Sequence, residues 1–259
     1  MMKIMIFQNT NFNWTKLIFF LVSFTIISFF MKYLSEWTHE YLGHCIIGSL
    51  VGGIVNSYYV SWIWPLEFGY AFVSFFGSIE PLPRIFMYSG GIITCSTAAF
   101  LSQGIIALVG RKNKFKLNWY LIPLNLLFWY GFWAFMNSVG YLLVGGLINF
   151  GDIYYISAIS GISHLIFLIP GFLAFIVLFY LISKNFYKLF KDFMKIDGRW
   201  MLTLFWLIIP IVYLFFIINP AITMTIALII ISFPLMFIPS ISSIFLAKYM
   251  IKNKGGNDL

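Results

Sequence analysis

Between Glu36 and His44 the chain reads Glu36-Trp37-Thr38-His39-Glu40-Tyr41-Leu42-Gly43-His44, which puts two of its three histidines and two of its eight acidic residues close together. The stretch closes a long apolar segment, where ionisable side chains are costly to hold and are kept for function. Two imidazoles and a carboxylate at short helical spacing are the ingredients of a zinc site that activates water. In that reading His39 and His44 supply two ligands and Glu40 the base that takes a proton from the water. Without a metal, two histidines and a glutamate in an apolar helix are expensive to bury. The stretch therefore implies metal-dependent hydrolysis within a membrane.

The elements that must position it are membrane helices. Of the 259 residues 61% are hydrophobic and 9% charged, and the mean hydropathy is +0.94. A soluble core cannot absorb that much apolar surface, so the chain reads as an all-α polytopic membrane protein, a single transmembrane domain over 1–259. The net charge of +8 then reflects basic residues gathered in cytoplasmic loops, with no nucleic acid as partner. The hydropathy pattern predicts about six transmembrane helices: 17–50 as one long crossing, then 85–109, 117–144, 156–182, 200–218 and 223–247. A tight turn at Asn219-Pro220 joins the last two, and Pro210, Pro234 and Pro239 are expected to kink them. After the first crossing, the β-prone runs 58–64 and 69–75 predict a short interfacial β-hairpin or re-entrant element. Residues 184–199 read as a basic amphipathic loop lying along the membrane surface.

Fourteen of the sixteen lysines and arginines fall on one side of this six-crossing arrangement, which the positive-inside rule makes cytoplasmic. Two crossings within 17–50 would break that pattern. Both termini are thus expected in the cytoplasm, with the protein in the cell membrane. Lys3 and Lys16 precede an apolar run that no small-residue cleavage site follows, so the start reads as an uncleaved anchor. Cys45 and Cys95 show no metal-type pairing and read as small buried hydrophobes. The aromatic residues of 58–64 read as interface anchors, and the Phe-rich stripes elsewhere as lipid-facing.

The same arrangement brings all three histidines and Asp152 to one half of the membrane. Asp152 is the natural third ligand, being the only acid in the second half of the embedded region; a solvated loop acid or a helix N-cap would also explain it. His164 fits a hydrogen-bonded core histidine or a group on the substrate side. Asn137 fits either a group that positions substrate backbone or an interhelical hydrogen bond. Glu36 lies four residues after Lys32 and reads as half of a membrane-edge ion pair.

His39-Glu40-Tyr41-Leu42-Gly43-His44, followed by Gly52-Gly53, resembles the active-site helix of the site-2 protease family of intramembrane zinc metalloproteases. Asn137-Ser138-Val139-Gly140-Tyr141, with Gly145-Gly146 and Gly151-Asp152, is similar to the family's second motif, and Gly90-Gly91 stands where the family often carries a glycine-rich helix. The resemblance covers residues 17–165; residues 200–247 add two helices beyond it. It implies zinc held by His39, His44 and Asp152, Glu40 as the base, and cleavage of membrane-embedded or membrane-anchored polypeptides. The family spaces its histidines four residues apart, and here the spacing is five. Five residues of an ideal helix turn through about 500°, leaving His39 and His44 about 140° apart. A π-bulge or an unwound turn at Gly43 would bring them together. On a straight helix the stripe is instead Glu36, Glu40 and His44, which makes Glu40 a ligand. A non-catalytic metal-binding membrane protein or a transporter of the same fold is the other reading of these residues.

Overall fold

The first apolar segment contains no proline, and its first glycine is Gly43, so nothing stops a helix before the His/Glu stretch. In the computed structural model, which describes residues 14–62, 67–76, 80–112, 121–194, 199–218 and 236–252, it forms one rod. Helix α1 (Trp14–Trp37) runs into a π-helical segment (Thr38–Ile46) and then α2 (Ile47–Leu50). Leu17–Leu50 is thus one candidate span rather than two, as the distribution of basic residues required. Strand β1 (Ile54–Tyr59) pairs antiparallel with β2 (Tyr70–Ser74), Ile54 opposite Ser74 and Tyr59 opposite Tyr70. The strand predicted over 58–64 therefore lies further upstream, while the second run falls where expected.

Next come α3 (Pro81–Lys112), α4 (Leu121–Gly140), a second π-helical segment (Tyr141–Gly145), α5 (Gly146–Ile148) and α6 (Gly151–Ser160). A 3-10 turn (His164–Phe167) leads into α7 (Leu168–Met194), followed by α8 (Arg199–Trp206), α9 (Ile208–Ile218) and α10 (Ile238–Lys252). Four stretches among the described residues are long and apolar enough to cross a membrane: Leu17–Leu50, Pro81–Val109, Ile122–Ile148 and His164–Lys191. Trp200–Phe215 and Ile238–Ala247 are shorter apolar helices. The chain is a helical membrane protein with a small antiparallel sheet. The predicted Asn219-Pro220 turn, Pro234, the first part of the 223–247 crossing and residues 113–116 of the basic loop lie outside the described residues.

Helix α4 is central, packing on α1, α3 and α7. Around it Phe20, Phe24, Phe128, Phe132, Phe186, Phe190, Phe205 and Trp206 form one buried aromatic cluster, with rings edge-on or stacked, such as Phe186 on Phe205 at 4.4 Å. The phenylalanines are therefore divided: these lie in the core, whereas Phe19, Phe29, Phe30 and Phe172 are exposed on the outside. The cluster also accounts for residues 184–194, which are not a surface loop. Helix α7 continues through them because Phe186, Leu189 and Phe190 bury their side chains in the protein.

The fourth apolar span begins at His164 and not at 156. Residues 156–160 belong to α6, which ends at Gly161 with a left-handed φ of 71°. Pro210 acts as expected. It has no N–H to bond the carbonyl of Trp206, and the helix breaks at Leu207 between α8 and α9. Pro239 does not kink its helix: it lies in the first turn of α10, where no donor is needed.

Candidate metal centre

The five-residue spacing of the histidines is accommodated by the π-helical segment Thr38–Ile46. Widening the ladder to i→i+5 bonds puts one more residue into the turn, so His39 and His44 come to one side of the rod. Their rings meet edge to face, with centroids 4.9 Å apart. Helix α3 crosses here at its closest approach. A Cβ on Gly43 would overlap the backbone of Gly91, and one on Gly90 would overlap the carbonyl of Gly43. Gly91 lies directly under the imidazoles: a Cβ there would stand 2.6 Å from His39 Nε2 and 2.8 Å from His44 Nε2.

Asp152 arrives from the other side. After the second π-helical segment the chain reverses through Asn149 (φ 53°) and Gly151 (φ 61°), both left-handed. At Gly151 a side chain would collide with the Tyr141 ring, so glycine is required on both counts. The reversal places Asp152 in the first turn of α6, buried and aimed at the histidines. His39 Nε2 donates to Asp152 Oδ2 at 3.1 Å, and His44 Nε2 lies 3.4 Å from Asp152 Oδ1. Donor atoms of the three residues all fall within 4.8 Å of one another. Asp152 is therefore neither a solvated loop acid nor a side-chain N-cap. Burial pushes its carboxyl up, but the neighbouring His44 and the hydrogen bonds from both imidazoles outweigh this and hold it below the usual carboxylate range.

The donor set fits a metal ion, and the hydrogen-bond directions say why. The His44 Nδ1–H donates to the Met87 carbonyl at 2.8 Å, because that oxygen can only accept. His44 Nε2 faces the Asp152 carboxylate at 3.4 Å, where a cation held between them would take the place of the imidazole proton. His39 is stacked on Tyr141 (centroids 4.8 Å), with the buried Cys95 thiol as a further neighbour. A group of two imidazoles and one carboxylate leaves a coordination position open, as in catalytic sites. Acidification is expected to release the metal as the imidazoles take up protons. Asp152 stays anionic through that range, so a titration of bound metal against pH should follow histidine protonation alone.

Glu40 follows His39 within the π-helical segment and is buried, and Gly69, just before β2, comes so close that a Cβ there would stand 3.1 Å from its Cγ. Glu36 and Lys32 are both buried. The Lys32 ammonium donates to the Ser61 carbonyl at 2.7 Å. The Glu36 carboxylate takes hydrogen bonds from the Gly69 N–H and the Asn137 side chain. Asn137 Nδ2 also donates to Ser35 Oγ at 2.9 Å, the interhelical bond that was one of its two readings. Glu67 accepts from the Tyr59 and Ser61 hydroxyls at 2.8 and 3.2 Å. The Lys32–Ser61 and Glu36–Gly69 contacts tie the hairpin segment to the rod.

His164 is not brought to the centre; its Nδ1 bonds the Gly146 carbonyl at 2.7 Å, and the metal-type group among the described residues comprises only His39, His44 and Asp152. His164→Ala should leave metal content unchanged and lower thermal stability in detergent by about 1 kcal/mol, the worth of one such bond. Cys45 and Cys95 are buried and free. Sequence reasoning missed the Met87 carbonyl, the stacking of Tyr141 on His39 and the contact of Gly69. Of these only Tyr141 lay inside a noticed motif, and a carbonyl partner leaves no mark on the sequence. No protein-family model, curated protein or solved structure matches this chain.

Proposed function

We propose that the chain is an intramembrane zinc metalloendopeptidase that cleaves membrane-embedded or membrane-anchored polypeptides. The observation that carries this reading is the convergence of His39 and His44, across a π-helical turn, on Asp152, with the buried Glu40 beside them. The motif resemblance to site-2 proteases supports the same assignment. Two imidazoles and a carboxylate are a donor set suited to zinc. Bound there, zinc supplies Lewis acidity, polarising a carbonyl and acidifying water.

The chain's own residues do the rest. Glu40 accepts the proton of the attacking water and returns it to the departing amide nitrogen, so the peptide bond breaks into a carboxylate and an amine. The backbone edges of β1 and β2 can take an extended polypeptide as an added strand, next to the glycine that touches Glu36 and Glu40. A peptide bond inside a membrane is normally protected by its helix, and strand addition exposes it. Six crossings, a cell-membrane location and cytoplasmic termini belong to this reading, supported by the one-sided distribution of lysine and arginine.

The test is reconstitution. The zinc-loaded protein in proteoliposomes should cut single-span membrane peptides within their apolar segments, stop when a chelator strips the metal, and resume when zinc is restored. A panel of such peptides left intact by the metal-loaded protein would overturn the peptidase assignment.

A further inference from the structure

Tyr141 faces two ways. Its ring stacks on His39, and it also lines an apolar cavity of about 250 Å³. Two further lining residues adjoin the metal centre. Phe68 precedes Gly69, the residue that closely approaches Glu36 and Glu40, and Phe150 stands within the turn that delivers Asp152. The rings of Phe68 and Phe150 are in contact, with centroids 5.4 Å apart. The opposite wall includes Phe175 of α7, Ile209 of α9 and Pro239 of α10. Helices α9 and α10 lie outside residues 17–165, so this wall belongs to the part of the chain that the motif resemblance does not cover.

The size and lining choose the occupant. An apolar cavity of about 150 Å³ takes benzene, so 250 Å³ takes one large aliphatic or aromatic side chain. We propose that this cavity is the specificity pocket of the metal centre and receives one bulky apolar side chain, such as Leu or Phe, flanking the bond to be cleaved. The proposal rests on the peptidase reading. The substrates it selects are polypeptides with a large apolar residue beside the cleavage point.

Gly140 supplies the test. It lines the cavity, has ordinary helical backbone angles, and a Cβ there meets nothing within 4 Å. Gly140→Phe therefore fills the cavity without touching the three donors. The probes are alanine, leucine and phenylalanine hydroxamates, which chelate a metal and carry one side chain next to the chelating group. Binding to the cobalt-loaded full chain in detergent is read from the cobalt absorption spectrum. The wild type should bind the leucine and phenylalanine compounds at least about tenfold more tightly than the alanine one, since each buried CH₂ contributes roughly a factor of four. Gly140→Phe should bring that ratio close to one while alanine hydroxamate binds as before; Gly140→Leu, a smaller filler, should reduce it partway. A ratio near one in the wild type, or an undiminished ratio in cobalt-loaded variants, overturns the pocket and leaves the metal centre standing. A protein that binds neither cobalt nor any hydroxamate overturns the metal centre, and the pocket with it.

Discussion

Glu40→Gln is expected to keep zinc at the wild-type stoichiometry and to lose cleavage by about 10²–10⁴-fold, the usual contribution of a general base. His44→Ala is expected to lose the metal itself. The two outcomes differ because the π-helical segment separates the two roles. It turns His39 and His44 together toward Asp152, whereas a straight helix would align Glu36, Glu40 and His44 and make Glu40 a ligand. Glutamine has nearly the shape of glutamate, so the packing of Gly69 on the Glu40 side chain survives while the proton acceptor is lost. In His44→Ala one of three donors is gone, together with its hydrogen bond to the Met87 carbonyl. Elemental analysis of the purified variants, beside peptide cleavage in proteoliposomes, separates the roles. Loss of zinc in Glu40→Gln would make Glu40 a ligand and return the stripe reading.

Gly91→Ala is the second large effect, and it acts through a methyl group alone. The added carbon would stand 2.6 Å from both His39 Cε1 and Nε2, and 2.8 Å from His44 Nε2, inside van der Waals contact of both imidazoles. Neither imidazole can easily retreat: His44 is tied to the Met87 carbonyl, and His39 is held against Tyr141. Helix α3 cannot move away while Gly43 and Gly90 hold the helices at backbone contact. Zinc content should fall to a small fraction of the wild-type value. Gly104→Ala, in the same helix with nothing near its Cβ position, should bind zinc normally. Equal zinc content in the two variants would remove the close crossing at Gly91 from the account of the site.

Much of the architecture could be read from the amino acids because membrane helices announce themselves. Apolar runs without breakers, bounded by basic clusters, marked the span 17–50 as one rod, and the β-prone run 69–75 marked one strand of the hairpin. Errors came where two physical causes write the same residues. An amphipathic basic segment reads alike whether its apolar face meets lipid or protein, and at 184–194 it meets Phe20, Phe24 and Phe205. Phenylalanine carries the same ambiguity in a membrane, where lipid and core are equally apolar. Residues 156–160 looked continuous with the next helix because Gly161 stops a helix only by adopting a left-handed conformation, which glycine permits but does not demand.

For the site, the sequence by itself singled out the candidate residues. Ionisable residues are so costly in an apolar chain that His39, Glu40, His44 and Asp152 stood out by type alone. It could not determine their roles, because helical spacing left a gap of about 140° between the histidines and offered Glu40 as either ligand or base. Only the tertiary structure decided for a π-helical turn at Thr38–Ile46, seated on the backbone of Gly90 and Gly91. The same long-range packing brought Asp152 across from the far side of Tyr141 and left His164 on a carbonyl elsewhere. A bulge is a local conformation, but here it is held by contacts between residues some fifty positions apart, and no local spacing rule contains them.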